Sequence, residues 1–224
     1  MIIKIASLIV SLAVFSVGCF AQNGEPMKMK SEPMSASLVT AEQAAENALK
    51  VGAKMPSFSL ADANGKSVSS DALMKEGNLV IVFYRGAWCP FCNTYLRTMQ
   101  KNLGAIKSNG GVLVAISVEN PDNSVGVVKK NELEYVVLSD TNLDVARKFG
   151  LVYQLPEKTN QQYIGYGIDL AKRNSMEKAE LPVSATYIID SKGNIAYAFL
   201  DPDYKKRAEP EKIIETLKGL RMAN

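Results

Sequence analysis

Residues 79–92 read Leu79-Val80-Ile81-Val82-Phe83-Tyr84-Arg85-Gly86-Ala87-Trp88-Cys89-Pro90-Phe91-Cys92. The apolar run 79–84 predicts a central strand buried on both faces. Arg85 and Gly86 turn the chain into a Cys-x-x-Cys pair. Pro90 falls near the first turn of a helix, where a missing N–H costs little. Over residues 93–107 the spacing is helical. Phe91, Tyr95, Met99, Leu103 and Ile106 recur at intervals of three and four, and Asn109-Gly110 ends the segment. Residues 112–118 predict a second buried strand, completing a strand–helix–strand unit with a right-handed crossover. Two thiols three positions apart at a helix start can open and close a disulfide, and a helix N-terminus favours a thiolate. Redox chemistry is therefore the first functional expectation.

The flanking segments extend this unit. Thr40 is a candidate N-cap for a helix over 41–49. Residues 56–60 alternate, and Asn64-Gly65 predicts a two-residue hairpin turn before Ser67 and Val68. Residues 71–75 suggest a short helical turn. Further on come a helix at 122–130, a strand at 135–138 and a helix at 143–149 closed by Gly150. The polar stretch 154–181, with one helix at about 157–173, reads as an insertion. Strands at 186–189 and 195–200 flank the turn residues 190–194, and a terminal helix covers 210–220. The order βαβ, βα, β-hairpin, α predicts an α/β, thioredoxin-like three-layer sandwich. It has a mixed central sheet with helices on both faces. The sequence gives no sign of an internal repeat.

Composition narrows the chemistry. The 224 residues contain no histidine, which excludes Ser-His-Asp and Cys-His catalysis and His-based metal sites. A net charge of +3, spread among acidic residues, does not point to nucleic acid. At the N-terminus, Lys4 followed by the apolar stretch 5–17 resembles a signal peptide; it is shorter than the roughly 20 residues needed to span a membrane. Two processing routes stay open: cleavage after Ala21, or a lipoprotein signal with lipid on Cys19. The expected organisation is a signal peptide at 1–21, a flexible tether at 22–37 and the thioredoxin-like domain at 38–224. Export, periplasmic or secreted, follows, with a membrane contact only if Cys19 is lipidated. Either route leaves Cys89 and Cys92 as the free thiols of the mature domain.

Across residues 50–220 the chain resembles the peroxiredoxin-like members of the alkyl hydroperoxide reductase/thiol-specific antioxidant family, in the thioredoxin superfamily. The resemblance rests first on Val51-Gly52, Pro56, Phe58 and Leu60. It continues through Phe83-Tyr84-Arg85-Gly86-x-Trp88-Cys89-Pro90-x-Cys92, Val137-Leu138-Ser139-Asp140, Tyr187-Ile188-Ile189-Asp190 and Gly193. It places Cys92 on the peroxidatic cysteine of ordinary peroxiredoxins, Cys89 on the Thr of their motif and Arg85 on its Pro. The resemblance thus makes Cys92 the expected attacking thiol with Cys89 resolving; thioredoxin-like oxidoreductases instead put the attacking cysteine at Cys89, so the reverse order stays open. Ser184 departs from the pattern. Many members carry Arg there and thioredoxins a cis-proline; Pro182 is two residues too early. Arg85 is the cation available as a substitute.

The resemblance implies a thiol peroxidase acting on hydrogen peroxide or small organic hydroperoxides. Its disulfide is reduced by an external, thioredoxin-like dithiol, and it uses no metal or other cofactor. Catalytic candidates are Cys92, Cys89 and Arg85, with Trp88, Tyr84, Pro90 and Ser184 lining the substrate pocket. Trp88 reads equally as a wall over the thiols or as core packing. Tyr153, Tyr163 and Tyr166 read as packing residues, and Lys205-Lys206-Arg207 as a solvated turn. Two alternatives share the motif: an exported thiol–disulfide oxidoreductase acting on proteins, and a redox-sensing binding module. A purely structural disulfide is disfavoured, because so small a loop constrains the unfolded chain little.

Overall fold

The computed structural model describes residues 38–222. The predicted leader, the tether and Cys19 lie outside the described residues. Helix α1 (Ala41–Asn47) opens the fold under a reciprocal cap: Gln43 N donates to Thr40 Oγ1 and Thr40 N to Gln43 Oε1. A hairpin of β1 (Ser59–Asp62) and β2 (Ser67–Ser69) runs into the short helix α2 (Ser70–Met74). The redox segment follows as β3 (Asn78–Phe83), α3 (Pro90–Lys101) and α4 (Leu103–Ser108), returning through β4 (Gly111–Ser117). Next come α5 (Pro121–Asn131), β5 (Val136–Ser139) and α6 (Asp144–Lys148). Then β6 (Val152–Gln154), α7 (Glu157–Gly165), α8 (Leu170–Arg173) and β7 (Glu180–Pro182) form a side excursion. Strands β8 (Ala185–Ile189) and β9 (Ile195–Leu200) and helix α9 (Pro210–Met222) complete the chain.

Seven strands form one sheet in the order β2-β1-β5-β4-β3-β8-β9. Strands β3, β4 and β5 are parallel, while β1, β8 and β9 run antiparallel to their neighbours. Successive side chains of a strand point to opposite faces, so β3 serves two cores at once. Leu79, Ile81 and Phe83 enter a cluster with Phe149, Leu170 and Tyr187. Val80, Val82 and Tyr84 enter a second cluster with Cys89, Cys92, Leu96, Met99 and Leu217. Fully burying each large aliphatic side chain of this kind contributes about 1.5–3 kcal/mol. The continuous apolar run is thus the price of a strand covered on both sides. The architecture is the mixed, helix-covered α/β sandwich expected from the order of elements.

Several details differ from the sequence-based expectations. The helix predicted after the cysteines is two helices. It breaks at Asn102, whose Nδ2 donates to Thr98 O at 2.9 Å and whose backbone leaves the helical region at ψ 1°. Leu103 and Ile106 still reach the same core as Met99, so the apolar periodicity carries across the break. The first hairpin has a longer loop than the predicted two-residue turn: Asp62 N donates to Lys66 O and Gly65 N to Asp62 O. Asp62 Oδ1 also accepts from Asn64 N and Lys66 N. Between residues 157 and 173 the single predicted helix is two, α7 and α8. They stand on a stem the sequence did not suggest, the antiparallel pair β6–β7, where Val152 faces Pro182. Pro182 is therefore a strand residue, and no peptide bond in the described residues is cis.

Candidate active site

The two thiols lie where β3 hands over to α3. Cys89 occupies the N-cap of α3 in extended conformation, Pro90 is its first residue, and Cys92 falls in the first turn. Both cysteines are free and only 1% exposed. Hydrogen bonding from the Cys92 thiol is the main force holding the Cys89 thiol below its ordinary range, at about 6, against burial; Arg85 and Arg207 add attraction. The same sulfur–sulfur interaction, then burial, pushes the Cys92 thiol up. The two thiols therefore titrate as a coupled pair, with the direction of both shifts favouring the thiolate at Cys89 over Cys92.

Arg85 lies in the loop between β3 and α3 and is 2% exposed. Its guanidinium lies against three rings, with its carbon 4.1 Å from the centroid of Tyr204, 4.8 Å from Trp88 and 5.7 Å from Tyr163. Nη2 donates to Tyr163 Oη at 2.7 Å, and Nε has no partner. Cation–π contacts of this type strengthen as water is removed. Among the described residues no carboxylate pairs with Arg85, so its charge remains available to Cys89.

Asn93 and Glu119 hold the loop itself. Asn93 Nδ2 donates to Ala87 O at 2.7 Å and to Cys89 O at 3.1 Å. Asn93 Oδ1 accepts from Asn131 Nδ2, and Asn131 Oδ1 in turn accepts from Arg97 Nη1. Glu119, fully buried just after β4, accepts from Ala87 N through Oε2 and from Arg173 Nε at 2.6 Å through Oε1. Gly86 permits the tight entry: at φ +144°, a Cβ there would meet Trp88 Nε1 at 2.5 Å.

The expected pocket residues scatter. Trp88 is half-buried, packs against both cores and meets Tyr163 edge-on at 5.6 Å. Tyr84 is buried beside the thiols in the second core, its hydroxyl without a partner. Pro90 is exposed and acts through backbone conformation. Ser184 is 3% exposed with an unpartnered Oγ and makes no hydrogen bond to either cysteine.

Tyr163 is more than packing, since it grips Arg85, whereas Tyr166 is largely exposed. Lys205-Lys206-Arg207 is not simply a solvated turn: Arg207 Nη2 lies 3.4 Å from Cys92 Sγ. Asn93, Glu119 and Arg207 were not singled out from the sequence as site residues. Asn93 carried a signal of a kind, an amide on the first turn of the predicted redox helix. No group of three or more metal-ligating residues occurs among the described residues.

A family model described as the AhpC/TSA family matches residues 51–198. The chain belongs to the AhpC/TSA family. The matched region carries both thiols, Arg85 and Glu119. The chain is 25% identical over 172 residues to peroxiredoxin Bcp of Escherichia coli K12, covering 77% of this chain and 97% of that one. It is 28% identical over 173 residues to a chloroplastic peroxiredoxin Q of Gentiana triflora, covering 77% and 67%. Its fold is similar to that of peroxidoxin BcpB from Mycobacterium tuberculosis, with a TM-score of 0.61 at 19% identity over 77% of this chain and 98% of the other. This AhpC/TSA chain is a peroxiredoxin-like member of the thioredoxin superfamily.

Proposed function

We propose that this chain is a thiol peroxidase that reduces hydrogen peroxide or small organic hydroperoxides through a Cys89–Cys92 dithiol/disulfide cycle. The observation that carries the reading is two free, buried thiols in the first turn of one helix, with the Arg207 guanidinium 3.4 Å from Cys92 Sγ. A thiolate, not a thiol, is the nucleophile. The direction of the two shifts supports Cys89 as the attacking sulfur and Cys92 as the resolving one, the reverse of the order favoured by the peroxiredoxin motif.

In the first step the Cys89 thiolate attacks one peroxide oxygen. The S–O bond forms as the O–O bond breaks, and the departing alkoxide or hydroxide takes a proton to leave as alcohol or water. Cys89 is then a sulfenic acid. Cys92 attacks its sulfur, the S–S bond forms, and the hydroxyl leaves as water with the proton from Cys92. Residues three apart on a helix bring their side chains within about 5–6 Å, so closure needs only local adjustment. An external dithiol of thioredoxin type then reduces the disulfide by exchange. Lys4 and the apolar stretch 5–17 support action outside the cytoplasmic membrane, in the periplasm or a secreted state.

The test is a stoichiometric titration of the reduced protein. One equivalent of peroxide should consume two thiols and leave one intramolecular disulfide, far faster than free cysteine reacts. A rate no greater than that of free cysteine defeats the reading. Fast reduction of a protein disulfide with slow peroxide turnover would mark a protein oxidoreductase instead.

A further inference from the structure

Arg207 lies in the connection between β9 and α9, remote in sequence from the cysteines. Its Nη2 points at Cys92 Sγ across 3.4 Å. The rest of the guanidinium is fixed. Nη1 donates to the carbonyl oxygens of Tyr204 and Lys206, and the group lies 5.7 Å from the centroid of the Tyr95 ring. Tyr95 is held in turn, its hydroxyl donating to Ala208 O at 3.0 Å. No carboxylate pairs with Arg207 among the described residues. A donor fork anchored on carbonyls, with an N–H directed at sulfur, is placed to pair with Cys92 once that thiol ionises.

We propose that Arg207 is a catalytic residue that holds the negative charge of the Cys92 sulfur when this thiol resolves the oxidised Cys89. The assignment rests on the dithiol cycle described above. Once Cys89 is a neutral sulfenic acid, the charge that opposed ionisation of Cys92 is gone. The guanidinium then faces the remaining thiol of the pair. Arg85 also lowers the Cys89 thiol, but among the described residues only Arg207 places an N–H on Cys92 Sγ. The attraction of Arg207 favours the thiolate at both cysteines. The other ionisable groups facing the pair are the Tyr84 and Tyr153 phenols, both held neutral by burial. Glu119 and Glu209 act at one remove, on Tyr84 and Tyr95.

The experiment isolates Cys92 in a Cys89→Ser background and follows its alkylation by iodoacetamide against pH, with circular dichroism as the folding control. Adding Arg207→Gln should raise the midpoint by about one unit, which makes alkylation about tenfold slower at any pH below it. Arg207→Lys, which keeps a cation but loses the fork, should give an intermediate midpoint. An unchanged midpoint in folded Arg207→Gln protein overturns the proposal; if that variant does not fold, an unchanged midpoint in Arg207→Lys does so. No peroxide enters the measurement. A chain inert to peroxide whose Cys92 midpoint still depends on residue 207 would sink the peroxidase reading alone.

Discussion

Arg85 and Tyr163 meet across 78 residues of sequence, the guanidinium Nη2 donating to the phenol oxygen at 2.7 Å. The bond ties the redox loop to helix α7 of the side excursion. A cation buried without a carboxylate is costly unless its N–H groups are satisfied. Tyr163 supplies both an acceptor and a π face. Tyr163→Phe keeps the ring and removes the acceptor, so it should destabilise the reduced protein by about 1–3 kcal/mol. Chemical denaturation, with the midpoint falling and the slope unchanged, is the check.

The two cysteines should separate in single-turnover experiments. Cys92→Ser retains a hydroxyl that can donate to Cys89, so it should still react fast with peroxide and stop at a sulfenic acid that dimedone traps. Cys89→Ser should fall to about the rate of a free thiol. The opposite pattern would assign attack to Cys92.

The pH profile of the reduced wild type carries the same information. The Cys89 thiol is lowered to about 6, so its thiolate persists until the pH falls to that value. Oxidation should therefore rise between about pH 5 and pH 7 and flatten by about pH 8, whereas an unperturbed thiol, with a pKa near 8.5, would still be climbing. The chief cause is the hydrogen bond from Cys92, so Cys92→Ala should shift the midpoint upward, and stopped-flow traces across pH measure both.

Glu119 couples the excursion to the loop. Glu119→Ala removes the acceptor of Ala87 N and the partner of Arg173. A lost hydrogen bond to a charged group costs roughly 1.5–3 kcal/mol. The excursion at 157–173 should become more sensitive to limited proteolysis, and peroxide turnover should fall with it. Unchanged cleavage would show that α8 is held independently of Arg173.

What the sequence revealed follows from which forces are local. The β3 run, the cap at Thr40 and the helical spacing from Phe91 to Ile106 depend on neighbours a few positions away, and each was legible. The break at Asn102 was not, because the apolar spacing of Met99, Leu103 and Ile106 survives it. The β6–β7 stem was hidden because each strand has three residues and one contains proline. Among site residues, the cysteines and Arg85 announced themselves by motif. Glu119, Tyr163 and Arg207 act across long loops. Their side chains are ordinary for a turn or a surface helix, and only the tertiary fold turns them inward.

The burial of both sulfurs also bears on survival under oxidative load. A sulfenic acid is lost to the irreversible sulfinic form when a second peroxide arrives before a thiol does. Here the competing thiol is three residues away on the same turn, while a second oxidant must find its way into a site that is 1% exposed. Ring closure is unimolecular and overoxidation is bimolecular, so the concentration of oxidant needed to inactivate the protein is set by how often the loop opens. Compactness at this point of the fold is a form of chemical insurance, one that more rapid loop opening would erode.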